Sequence, residues 1–80
     1  MEDIKEKTAD EMFEELGYEK IVESNVKINY EKYGQFFDKD IVFGLIDKIV
    51  VTELGTGESA NLNMQELQAI NKKCKELGWI

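Results

Sequence analysis

Two segments of this chain end in almost the same way, Glu15-Leu16-Gly17-Tyr18 and Glu76-Leu77-Gly78-Trp79. In each, a run of helical periodicity stops at a glycine followed by an aromatic residue. Glycine fits the left-handed position just past a helix, and the next side chain folds back on the last turn. Between the two ends the chain is rich in Val, Ile, Phe and Tyr, and it has no proline anywhere. This layout predicts a helix, a sheet and a second helix. An 80-residue chain makes one domain and buries only about 60–65 % of its unfolded surface.

The first helix is predicted over 9–16. Thr8 and Glu11 form a capping box, and Asp10 and Glu11 place negative charge in the first turn, where the helix dipole favours it. Ala9, Met12, Phe13 and Leu16 make one apolar face. So short a helix needs tertiary packing to persist. Residues 1–7 are polar and are expected to fray. The last helix is predicted over 64–77, with Asn63 as N-cap, Glu66 completing the cap and Leu62 and Leu67 placed as a hydrophobic staple. Leu67, Ile70, Cys74 and Leu77 recur on one face and are expected in the core. Lys72, Lys73 and Lys75 lie toward the C-terminal end, where positive charge complements the dipole.

Between the helices the period changes to two. Val26, Ile28 and Tyr30 alternate with Lys27, Asn29 and Glu31, which predicts a half-buried strand over 26–32. Residues 18–23 are a weaker strand candidate, joined to it by a tight Ser24-Asn25 turn. Strands over 41–46 and 49–54 flank Asp47-Lys48, two charges inside an apolar run and the mark of a hairpin turn. Ile41, Phe43 and Leu45 face the core, and Gly44 marks a bulge or a close backbone approach. The connections are too short for parallel crossovers. The fold class is α+β: a three- to four-stranded antiparallel sheet packed against an N-terminal and a C-terminal helix, in the order α-β-β-β(-β)-α, as a single domain over 1–80.

Charge and motifs narrow the chemistry. The net charge is −7, and residues 1–23 alone hold nine acids and three lysines. Such a field repels the phosphate backbone that supplies most non-specific nucleic-acid affinity. It can speed encounter with a basic partner. Gly55-Thr56-Gly57-Glu58-Ser59-Ala60 matches a dinucleotide fingerprint, yet no parallel strand follows the last helix and Glu58 would oppose a pyrophosphate. Asp38-Lys39-Asp40 fails as a calcium loop because the ligand run turns apolar by Phe43. The chain has no histidine, the usual acid/base group at neutral pH. Cys74 stands alone on the expected buried stripe with no base to activate it. No catalytic, metal or cofactor site is expected. No membrane span or signal peptide is read, and the single cysteine fits a reducing cytoplasm.

Aromatic residues are numerous for this length, and Tyr33, Phe36 and Phe37 fall in a connection between strands. They are the candidate protein-binding surface, since exposed Tyr and Phe serve as interface anchors. A short open sheet can also take a partner strand or a second copy along its edge.

The segments 8–21 and 64–79 resemble a group of short uncharacterised proteins encoded by phages and prophages of Gram-positive bacteria. The likeness is carried by Thr8-Ala9-Asp10-Glu11-Met12-Phe13 with Glu14-Glu15-Leu16-Gly17-Tyr18, and by Gln65-Glu66-Leu67-Gln68 with Glu76-Leu77-Gly78-Trp79. The middle of the chain shares only the pattern. The resemblance implies a small α+β domain in a phage context and brings no activity or catalytic residue. The expectation is a phage-derived accessory protein acting through an unknown protein partner or self-association, without direct nucleic-acid or membrane binding. Two alternatives stand beside it: an acidic DNA-mimic decoy for a nucleic-acid-binding protein, its carboxylates running along the first helix and the strand near Val26, and an enzyme of unassigned reaction.

Overall fold

The two matching helix ends close in the same way in the computed structural model, which describes residues 7–80. The first helix, α1, spans Ala9–Glu15, and the second, α2, spans Met64–Glu76. The amides of Tyr18 and Trp79 donate to the carbonyls of Phe13 and Cys74, both at 2.9 Å. The glycine amides donate to Glu14 and Lys75, both at 3.0 Å. This double closure requires a positive φ, 93° at Gly17 and 77° at Gly78, which only glycine adopts without strain. Both N-termini carry the expected capping boxes, Thr8 with Glu11 and Asn63 with Glu66. The expected fraying of 1–7 falls, for residues 1–6, outside the described residues. Lys7 is exposed and pairs with Glu15 at 2.7 Å.

Four strands follow one another, β1 (Glu19–Glu23), β2 (Lys27–Lys32), β3 (Lys39–Gly44) and β4 (Ile49–Leu54), in an antiparallel sheet of order β1-β2-β3-β4. The weaker strand candidate is therefore a full member of the sheet. Several boundaries differ from the sequence reading by one or two residues: α1 and α2 each end one residue sooner, β2 begins at Lys27, and β3 runs over Lys39–Gly44 rather than 41–46. Val26 lies in the β1–β2 turn, where Ser24 Oγ accepts the Val26 and Lys27 amides at 3.2 Å. The β3–β4 turn takes Leu45–Lys48 rather than the two charges alone, with Lys48 in the left-handed region at φ 57°. Gly44 answers to close approach: a Cβ there would sit 3.0 Å from Ile49 Cγ1.

Both outer edges of the sheet are modified. The β1 register slips at Ile21, between Lys20 opposite Tyr30 and Val22 opposite Asn29. Beyond β4 the 55–60 segment turns back on the strand, with Ser59 bridged to Glu53 and the Ala60 amide bonded to Thr52 O at 3.3 Å. That segment is thus an edge cover and not the opening of α2, which is capped later at Asn63.

Both helices contribute to a core on a single face of the sheet. Phe13 of α1 stacks on Tyr30 with ring centroids 4.1 Å apart, and meets Tyr18 and Phe43 edge-on. Ile28, Ile41, Ala9, Ala69 and Ile70 complete the buried cluster. The α2 face is a correction. Its buried line is Glu66, Ala69, Ile70 and Lys73, whereas Leu67 is 42 % exposed and Cys74 and Leu77 are only partly buried. The helix is turned by about one residue from the apolar stripe because two charged side chains find partners inside. A reading by hydrophobicity leaves such positions out. Among the described residues, no helix is long and apolar enough to cross a membrane.

This rotation separates two substitutions that sequence alone would rank together. Ile70→Ala should lower stability by about 2–4 kcal/mol through lost burial and a residual cavity, and Leu67→Ala by under about 1 kcal/mol. Urea titration measures both; equal losses would contradict the rotation.

Candidate binding surface

The polar groups nearest the core are matched among themselves. Glu66, only 3 % exposed, accepts the Tyr18 hydroxyl at 2.5 Å, the Lys39 ammonium at 2.8 Å and the Asn63 amide at 2.9 Å. Burial opposes its charge, but the hydrogen bonds from Lys39, Tyr18 and Asn63 outweigh it and hold the carboxyl below its usual range. Asp10 is arranged likewise. It accepts the Tyr30 hydroxyl and pairs with Lys20 at 3.0 Å, with the Lys73 ammonium at 3.6 Å. Here too burial is overcome, first by Tyr30 and Lys20, and the carboxyl is lowered. Both phenols are pushed up, by burial first and then by the carboxylates they bond. The acids of α1 are thus largely committed to the fold: Asp10 as described, Glu15 to Lys7 and Glu11 to the Thr8 amide.

The aromatic connection is different. Tyr33, Phe36 and Phe37 are 62 %, 84 % and 50 % exposed. All three lie between β2 and β3, at one end of the sheet. The connection is tight at Gly34, where a Cβ would come within 2.2 Å of the Phe37 carbonyl oxygen. Phe37 alone of the three lines a concavity of about 230 Å³, shared with Lys32, Lys39, Leu54 and the start of α2. Tyr33 sits beside Glu31, whose hydrogen bond and charge push its phenol up.

A second surface escaped the sequence reading. Both helices occupy one face of the sheet, so every other strand residue points to the opposite face. There the strand register sets Glu19 opposite Glu31, Glu31 opposite Asp40 and Asp40 opposite Glu53, a row of carboxylates crossing all four strands. Directly opposed like charges destabilise a sheet by tenths of a kcal/mol or more. The Asp40 carboxyl is pushed up to about 6, by burial first, then by Glu31, Glu53 and Asp38. Next to this row stands another, Val22, Asn29, Val42 and Val51. Among the described residues, the shielded acceptors Asn29 Oδ1 and Asp40 Oδ1 have no hydrogen-bond donor. Glu31 and Glu53 are visible in the sequence on the polar phase of their strands, whereas Asp40 lies before the strand predicted over 41–46 and joins the sheet because β3 begins at Lys39. Only the register aligns them.

The row is drawn out rather than gathered. Cation ligands must converge on one point at about 2.3–2.6 Å. Among the described residues, no group of three or more His, Cys, Asp or Glu is placed to hold a metal ion. A concavity of about 560 Å³ is an open groove between α1 and α2 lined by Lys7, Met12, Gln68, Asn71, Lys72 and Lys75. Cys74 is partly buried, and burial pushes its thiol up, away from the reactive thiolate. Compared with known proteins, the chain matches no family model, no curated protein and no solved structure.

The carboxylate row should leave a signature in the pH dependence of stability. Asp40 holds its proton more tightly folded than unfolded, so its contribution is full below its unfolded value and is lost as pH rises through about 6. Asp10 and Glu66 act in the opposite sense and lose their contribution as pH falls below the usual carboxylate range. Stability should therefore peak at about pH 5. Asp40→Asn should stabilise by about 1 kcal/mol near pH 7.5, several degrees in thermal midpoint, and by much less near pH 4.5. Circular-dichroism melts at the two pH values measure this; an equal gain at both would mean that charge is not the cause.

Proposed function

We propose that this chain is a small accessory protein that acts by binding another protein, in a phage or prophage setting and in a reducing cytoplasm. The observation that carries the reading is the aromatic connection. Phe36 and Phe37 stand in water on a loop closed tightly by Gly34, and exposed aromatic rings are anchors that interfaces favour. The net charge of −7 supports a protein partner over free nucleic acid. A binder rather than an enzyme also accords with a chain that has no histidine. The phage setting rests only on the likeness of 8–21 and 64–79 described above.

The test is affinity capture from a Gram-positive host, with wild-type protein and with the Phe36→Ala/Phe37→Ala double variant, at low and high salt. Both rings are exposed, so the variant should melt within a few degrees of wild type. The expected result is a partner retained in high salt by wild type and lost by the variant. Equal capture by both proteins would remove the aromatic connection from the interface. No partner at all, with a monomeric mass in sedimentation, would remove the binding reading.

A second reading, the acidic decoy, is favoured by one observation, the four-strand carboxylate row. Its partner would be a basic nucleic-acid-binding protein released by moderate salt, because surface electrostatics weaken as the Debye length shrinks.

A further inference from the structure

We infer that the open face of the sheet seats one amphipathic helix of the partner protein, laid along the carboxylate row, with a lysine or arginine at each turn and apolar side chains beside it. The inference rests on the protein-binding reading and adds the chemistry and shape of the partner. Three features of the face lead to it.

The first is spacing. Neighbouring strands lie about 4.8 Å apart, so Glu19, Glu31, Asp40 and Glu53 present one carboxylate per strand over about 14 Å. A helix repeats its side chains at one face every turn, about 5.4 Å, so some ten residues set one cation against each acid. An extended strand repeats at about 6.8 Å and falls out of step. The second is the border. A helix about 10 Å wide lying on the row also covers the adjacent Val22, Val42 and Val51, all incompletely buried. The aromatic connection stands at the same end of β2 and β3 as the row. The third is uncompensated charge. Asp40 stands between Glu31 and Glu53 across the sheet, and ammonium and guanidinium groups carry donors only.

Charge decides between occupants. A second copy laid face to face would bring four more carboxylates onto the first four. Residues 1–6 contain Glu2, Asp3 and Glu6 against Lys5, the wrong sign for this seat. Nucleic acid is excluded for the same reason. A basic helix is the occupant that relieves the repulsion, and by drawing the proton from Asp40 it should bind more tightly as pH rises through about 6. The charged groups that bear on Asp40 are Glu31 from β2, Glu53 from β4 and Asp38 in the connection just before its own strand.

The probe is a synthetic helical peptide of about 14 residues with one lysine per turn between leucines, set against a peptide of identical composition with its lysines spread around the helix. The aligned peptide should bind about tenfold tighter or more and should move the amide resonances of Glu31, Asp40, Val42 and Val51. The Glu31→Gln/Asp40→Asn double variant, which relieves repulsion and so keeps the fold, should lose that preference. Equal binding of the two peptides, or an unchanged preference in the double variant, overturns the inference. Native-partner capture that survives Glu31→Gln/Asp40→Asn but fails in the Phe36→Ala/Phe37→Ala protein also overturns it, leaving the protein-binding reading intact. Peptide discrimination without any captured native partner supports the seat and counts against that reading instead.

Discussion

The Glu66 carboxylate is the contact on which the two layers depend. Taking a carboxylate out of water costs several kcal/mol unless its oxygens are filled. Here they are filled from three places at once: the Tyr18 hydroxyl just past α1, the Lys39 ammonium on β3, and the Asn63 amide that caps α2. Asp10 does the same at the other helix, joining Tyr30 of β2, Lys20 of β1 and Lys73 of α2. Both acids sit in the first turn of their helices, where the dipole adds to their stabilisation. The two tyrosines bury their rings in the aromatic cluster and hand their hydroxyls to these acids, so packing and polar pairing fix the same geometry. A seven-residue α1 could not hold its helix alone. It is pinned further by its first amide, which bonds Glu76 of α2 at 2.8 Å.

These pairings leave the molecule strongly one-sided. On the helix side, Asp10 and Glu66 meet lysines and phenols. On the far side, the strand partners of Glu31 and Asp40 are acids, and among the described residues no helix lies over the valine row. The charge of the chain is therefore not spread evenly: its repulsive part collects on the face away from the helices. Consistent sequences seldom set like charges opposite one another across a sheet, and local conflicts of this kind concentrate at functional sites.

What the sequence reveals follows from how local each signal is. The helix ends are legible because cap, glycine and aromatic are near neighbours, and the strands because alternation is read within each one. The rotation of α2 is not legible. Leu67 looks like a core residue, and Glu66 and Lys73 look like surface ones, until Lys39, Tyr18 and Asp10 are known to be waiting for them. The extent of the β3–β4 turn misleads for a similar reason, since Leu45 and Ile46 are apolar enough to pass for strand. Tyr33, Phe36 and Phe37 are legible as surplus rings in a connection. The carboxylate row is invisible, because Glu19, Glu31, Asp40 and Glu53 meet only through three successive registers, one of them past a bulge.

The edges and the open face together bear on how such a sheet can take a partner. A small open sheet offers two routes: a strand added to an edge, or an element laid on a face. The slip at Ile21 interrupts the ladder of β1, and the return of Ser59 and Ala60 occupies the outer side of β4 near Thr52 and Glu53. Bulges and covering segments are the means by which proteins blunt edges against unwanted pairing. With both edges modified, strand addition loses the continuous row of amides and carbonyls it needs. The face remains, with its acids in line and its valines beside them. Among the described residues, the same chain that guards its edges leaves open a face whose charges would gain from a cationic neighbour, and that combination suits face docking better than edge pairing.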